Sequence, residues 1–138
     1  MPTITTAHKG DMLFESQFGD HSVLIDVPPA MGGASRGPTP PELFIASLGS
    51  CVGAFAATYC HQAGIDTRDM TVDVSFDKVD NPTRLANLKI TVNLPHGDCS
   101  LRQQALKRVA EHCPVHETIV TLEGIDIEFQ GRRELSPA

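Results

Sequence analysis

Apolar and polar positions alternate in two short runs near the start of the chain, residues 12–18 and 21–27. Alternation with a period of two gives each run one dry face and one wet face, so both are predicted strands. Gly19-Asp20 between them makes a tight hairpin turn. Residues 3–9 can add a preceding strand. Pro28-Pro29 stops the second run and opens a loop rich in Gly and Pro that lasts to Pro38. The pattern then becomes helical. Thr39 is a good N-cap, Pro40 suits the first helical position, and Glu42 completes a capping box with Thr39. The helix is predicted to run to Ala63 and to end at Gly64, a length of about 24 residues or about 36 Å.

Residues 43–60 of that helix carry no charge, and the helix is apolar or small on every face as far as Ala57. Such a helix has to be covered all round, which a single small domain hardly achieves, so a homodimer packed around it is expected. Gly49 and Gly53, with Ala46, Ser50 and Ala57, would let another helix approach closely. Beyond it, residues 70–76 and 88–94 alternate cleanly and are predicted to be an antiparallel pair. Asp98 or Ser100 can cap a helix over residues 100–112, whose apolar stripe is Leu101, Ala105, Leu106, Val109 and Ala110. Pro114 suits the start of a short helix through Val120. Residues 124–129 are predicted to be a last strand, and residues 131–138 a loose tail. The order of elements defines an α+β fold in one domain, residues 1–138.

Composition narrows the function classes. The net charge is −6, there is no Trp and there is one Tyr. Nucleic-acid binding and attraction to an anionic membrane surface therefore find no support. The central apolar run has nearly the length of a membrane span, but Ser47, Gly49, Ser50, Gly53 and Thr58 interrupt it, so no membrane role is expected. Residues 1–5 show no charged segment followed by an apolar one, so no secretory signal is expected. Four cysteines in that setting point to free thiols in a reducing cytoplasm.

Two of the cysteines lie where a thiol has work to do. Cys51 sits inside the charge-free run, and Cys113 opens Cys113-Pro114-Val115-His116 between two predicted helices. A buried thiol and a helix-start thiol brought together by the fold would make a two-cysteine redox site. The plainer alternative makes Cys51 an inert small hydrophobe. Cys60, nine residues further on and about 180° around the helix, reads as structural. Cys99 in its turn reads as a bystander. His116 either assists Cys113 or is a surface residue of the short helix. A zinc site drawn from Cys51, Cys113, His116 and His61 would be short of a regular ligand pattern, so neither metal nor cofactor is expected.

The stretch Gly37-Pro38-Thr39-Pro40-Pro41-Glu42-Leu43 leading to Leu48-Gly49-Ser50-Cys51, followed later by Glu111-His112-Cys113-Pro114-Val115-His116, resembles the OsmC/Ohr family of osmotically induced and organic-hydroperoxide-resistance proteins. The resemblance extends over nearly the whole chain. It implies an OsmC-like fold in which antiparallel sheets surround a long buried central helix, as an intertwined homodimer. It also implies a thiol-dependent peroxidase. The first cysteine attacks the hydroperoxide and becomes a sulfenic acid. The second resolves it as an intrachain disulfide, and a dithiol reductant, often lipoyl, restores both thiols. By position Cys51 matches the attacking cysteine and Cys113 the resolving one.

The chain departs from that family pattern at the activating charges. The resemblance implies an arginine from the N-terminal region, held by a glutamate ten positions before the attacking cysteine. Here that position is Pro41, and the carboxylate is Glu42, one residue or about 100° of helix away. No arginine precedes Arg36, which is the best substitute cation and equally reads as a surface-loop residue. The expectation is a cytoplasmic homodimer that reduces organic hydroperoxides, with Cys51 and Cys113 catalytic and Glu42 and Arg36 as their candidate support. The alternative is the same dimer without peroxidase activity, binding a small hydrophobic ligand or sensing redox state.

Overall fold

The computed structural model of the chain describes residues 1–132. Three N-terminal strands, β1 (Thr5–Gly10), β2 (Leu13–Phe18) and β3 (His21–Ile25), form one antiparallel sheet in that order. A short 3-10 turn, Pro29–Met31, lies in the loop that follows. The long helix α1 (Pro40–Ala63) has the bounds its capping signals dictate. Thr39 Oγ1 accepts from the Glu42 N–H, and the Glu42 carboxylate accepts from the Thr39 N–H at 3.0 Å, so two orphan donors are satisfied. Strands β4 (Thr71–Val79) and β5 (Arg84–Asn93) make a separate two-stranded antiparallel sheet. The chain continues into α2 (Gln103–Glu111) and α3 (Pro114–Thr121).

The core gathers on one side of α1. Ile45, Leu48, Gly49, Val52, Gly53, Ala56 and Cys60 form its buried stripe at helical spacing. Val72 and Val74 of β4 and Leu88, Ile90 and Val92 of β5 turn their half-buried faces toward it. From α2 and α3 come Ala110, Val115 and Ile119. Burying a Leu48-sized side chain contributes about 2 kcal/mol. Glycine decides how close the helix comes to the sheet. A Cβ on Gly53 would stand 3.1 Å from the Val72 Cγ2 atom, and one on Gly49 3.3 Å from the Val74 Cγ2 atom. Within the chain these glycines thus receive strand β4, where the sequence suggested a helix.

The other faces of α1 stay open within one chain. Phe44 and Phe55 are among its exposed large side chains. The β1–β3 sheet packs mainly on itself, whereas α1 packs on β4, β5, α2 and α3.

Three sequence expectations need correction. Residues 124–129 form no strand: Ile125, Ile127 and Phe129 are 75%, 79% and 95% exposed, and among the described residues no ladder partner lies beside them. A strand exists only through hydrogen bonds to a neighbour, which alternation in a sequence cannot supply. Helix α2 begins at Gln103 because Asp98 spends its carboxylate on a local turn, accepting from the Ser100 N–H and hydroxyl. Leu101 is consequently outside the helix and 95% exposed, while the rest of the expected stripe is half-buried. The β4–β5 pair is also longer than its alternation, continuing past a register shift between Ser75 and Asp77. The loose tail expected from residue 131 lies, from residue 133 onward, outside the described residues.

Candidate functional site: two thiols beside the central helix

Cys113 is completely buried and forms the N-cap of α3. Its Sγ accepts from the backbone N–H of His116 at 3.4 Å. It sits in the centre of the core with Leu48 and Val52, and the half-buried Cys51 packs against that cluster. The fold therefore brings the two candidate thiols into one aliphatic neighbourhood, Cys51 from the middle of α1 and Cys113 from the turn between α2 and α3. Burial pushes the Cys113 thiol above its ordinary range, and the Cys51 thiol beside it adds to the rise. The N–H groups of His116 and Val115 offset part of that shift. Cys51 and Cys113 are both free thiols.

His116 acts on Cys113 through its backbone. Its ring turns away, with Nδ1 2.9 Å from the Glu111 carbonyl oxygen. That contact ties the start of α3 to the end of α2 and fixes the turn carrying Cys113. Beside it lies a cavity of about 540 Å³ between α1, β5 and α2, lined by Val52, Ala56, Ile90, Leu106, Ala110 and His116 among others. Its volume and mainly aliphatic wall suit a small apolar molecule. Among the described residues, no group of three or more His, Cys, Asp or Glu could hold a metal ion.

Glu42 and Arg36 are engaged elsewhere than with the thiols. The Glu42 carboxylate caps α1, accepting from the Thr39 N–H and from its hydroxyl at 2.7 Å. Those two donors hold its pKa below the usual value, and Lys78 nearby adds to this. The Arg36 guanidinium is shared between two carboxylates, Asp26 at 2.6 Å through Nε and Asp11 through Nη2. No ion pair joins Arg36 to Glu42 among the described residues.

Asp26 escaped the sequence reading altogether. Its side chain is fully buried and accepts from the backbone N–H groups of Val27, Ala34 and Arg36 as well as from the Arg36 side chain. The guanidinium holds its carboxyl far below the usual range, against the opposing effect of desolvation, and the three N–H groups reinforce this. The loop winds around that carboxylate with no room to spare. A Cβ on Gly33 would stand 2.0 Å from the Val27 carbonyl oxygen, and one on Gly37 2.1 Å from that of Leu24. The signal was present: a carboxylate at the end of an apolar strand, directly before a loop whose glycines leave N–H groups free to converge.

Residues 32–130 match the OsmC-like protein family. The match covers most of the chain, and the chain belongs to this family. Solved structures share the fold. One is a Psychrobacter arcticus protein assigned to the osmotic stress induced and detoxification response, 21% identical with a TM-score of 0.75 over 86% of this chain and 88% of that one. An OsmC-like protein from Mycoplasma pneumoniae is 19% identical, with a TM-score of 0.68 over 87% of each chain. The organic hydroperoxide resistance protein OhrB of Bacillus subtilis is 21% identical, with a TM-score of 0.61 over 87% of this chain and 90% of that one. A comparison with curated protein sequences finds no match.

Proposed function

We propose that this protein is a homodimeric thiol peroxidase that reduces organic hydroperoxides in the reducing cytoplasm. The observation that carries the reading is the packing of Cys51 against the cluster that buries Cys113. The hydroperoxide resistance of its structural neighbour from Bacillus subtilis supports it. In this cycle the Cys51 thiolate attacks one peroxide oxygen, the O–O bond breaks, and the alcohol leaves with a proton. Cys51 is left as a sulfenic acid. The Cys113 sulfur then attacks it, the S–S bond forms, and water departs. A dithiol reductant, of the lipoyl type or similar, exchanges with that disulfide and restores both thiols. The aliphatic surroundings favour an alkyl peroxide over a small polar one.

A second copy of the chain is part of the proposal. Phe44 and Phe55 on α1 are exposed, as are Ile125, Ile127 and Phe129 near the end of the described chain. An apolar groove of about 540 Å³ runs between α1 and β4, lined by Ile45, Gly49, Gly53, Ala57, Met70 and Val72 among others. A partner covering these surfaces would also offer residues 124–129 the ladder they lack. Sedimentation at micromolar concentration is expected to show the dimer, and a stable monomer would contradict it.

Replacement of Cys51 by Ser tests the chemistry. Consumption of cumene hydroperoxide in a reductant-coupled assay is expected to fall to the uncatalysed rate. Unchanged consumption sinks the peroxidase and leaves the second reading, a binder of small hydrophobic molecules. The cavity beside Cys113 favours that reading, and so does the engagement of Arg36 by Asp26 and Asp11. A hydrophobic fluorescent probe displaced from the Cys51→Ser protein by a small apolar ligand would support it.

A further inference from the structure

The remaining two cysteines lie toward the C-terminal end of the central helix, Cys60 on the helix and Cys99 in the turn before α2. Gly97 of that turn packs so closely on Ile65 and Asp66 that a Cβ there would stand 2.5 Å from the Asp66 carbonyl oxygen. Cys60, in the last turn of α1, is completely buried. Ala56, one turn earlier on the same face, lines the cavity beside Cys113, and so does Cys99 from the turn before α2. Three hydrogen bonds shape that turn, and one of them reaches α1. The Arg102 N–H donates to the Cys99 carbonyl at 2.9 Å, closing the turn. The Arg102 guanidinium reaches the hydroxyl of Tyr59, the residue preceding Cys60, at 3.5 Å. Gln103 Nε2 donates to Cys99 Sγ at 3.4 Å.

We propose that Cys60 and Cys99 form a second dithiol, which an organic hydroperoxide converts to a disulfide tying the turn before α2 to the C-terminal end of α1. Cys99 is the partly exposed thiol and meets the oxidant first. Gln103 Nε2 donates to the sulfur that reacts. The thiolate attacks a peroxide oxygen, the O–O bond breaks, and the alcohol leaves with a proton, so Cys99 carries a sulfenic acid. The Cys60 thiol gives up its proton, its sulfur attacks the Cys99 sulfur, and water leaves. Two thiols are oxidised and one peroxide is reduced to alcohol and water. Burial raises the Cys60 thiol pKa, and Cys99 adds to the rise. Burial also keeps Cys60 from reacting with peroxide on its own, so the order of events is fixed: Cys99 is oxidised and Cys60 resolves it.

The second pair is independent of turnover at Cys51 and is tested without it. The full-length chain carrying Cys51→Ser and Cys113→Ser is treated with one equivalent of cumene hydroperoxide. Intact mass and peptide mapping without reduction then follow. The expected result is loss of two hydrogens, a linked peptide containing Cys60 and Cys99, and reversal by a dithiol. Adding Cys99→Ser, a change at a partly exposed position, is expected to abolish the loss while circular dichroism stays unchanged. Oxygen added at Cys99 with Cys60 still free overturns the proposal, as does a Cys99–Cys99 link between chains. Hydrogen exchange supplies a second readout: amides of residues 99–103 are expected to exchange more slowly after oxidation, and unchanged exchange overturns the tie between α1 and the turn.

Discussion

The loop leading into α1 and the thiol cluster at its middle each bury an ionisable group, and they treat it in opposite ways. Asp26 is surrounded by donors, three backbone N–H groups and the Arg36 guanidinium, and its charge is kept. Cys113 has the His116 N–H at 3.4 Å, the Val115 N–H and the Cys51 thiol among mainly aliphatic neighbours, and its charge is suppressed. Burial alone disfavours an ion; converging donors reverse that preference. The loop is therefore built to be rigid and ionised. The Cys113 thiol is instead held toward its neutral form. The same contrast bears on activation. Arg36 is the cation the sequence offered to Cys51, and the loop has already engaged it with two carboxylates.

The largest effect that separates the two regions is steric. Gly37→Ala places a methyl group against the Leu24 carbonyl oxygen, so the loop around Asp26 cannot close. Denaturant unfolding is expected to show a loss of about 3 kcal/mol or more, the range typical of a forced backbone clash or broken buried network. Unchanged stability would mean that the loop is free to move and Asp26 is not its anchor.

The next effect is a stability profile with two limbs. The folded-state pKa of Asp26 is depressed, so its contribution is present above the unfolded value of about 3.9 and is lost as pH falls through the folded value. The thiol pKa values of Cys113 and Cys60 are raised. Between the unfolded value of about 8.5 and the folded value, the native state holds protons that the unfolded chain has released. Stability is therefore expected to decline as pH rises through that window. Asp26→Asn should flatten the acid limb alone, and Cys113→Ala the alkaline limb in part. A chain whose urea midpoint is flat above pH 8 would contradict the buried, neutral thiols.

The smallest effect concerns the helix cap between the regions. Thr39→Ala removes the oxygen that accepts from the Glu42 N–H and a hydroxyl that donates to its carboxylate. A cost of about 1 kcal/mol is expected in thermal or chemical unfolding. Cumene hydroperoxide turnover should stay near its original rate if Glu42 serves as a cap alone; a fall greater than the stability change would instead tie Glu42 to the thiol site.

Much of this organisation was legible in the residues. Thr39, Pro40, Glu42 and Gly64 bracket α1 because capping and termination are local, decided within one turn of helix. The alternation of Val72, Val74 and Phe76 gives β4 its inward face for the same reason. Cys51 and Cys113 stood out through their immediate neighbours, and the fold packs Cys51 against the cluster that buries Cys113. Less legible were the partners of single side chains. Asp26 passed without notice inside the second strand run, and its role appeared only when the N–H groups of Val27, Ala34 and Arg36 converged on it. Gly49 and Gly53 announced a close approach without saying to what.

By itself the sequence determined the elements governed by local rules: the limits of the central helix, the two hairpins, the helix-start position of Cys113 and the absence of charge along residues 43–60. Only the tertiary structure decided which distant groups meet. It set Cys51 against the cluster of Cys113, brought the turn of Cys99 to the end of α1, bound Arg36 to Asp26 and Asp11, and left residues 124–129 without a strand to pair with among the described residues. The reason is physical. Caps, turns and periodicity are satisfied by neighbours along the chain, whereas the charge state of a buried thiol or carboxylate depends on donors and apolar groups that only folding assembles.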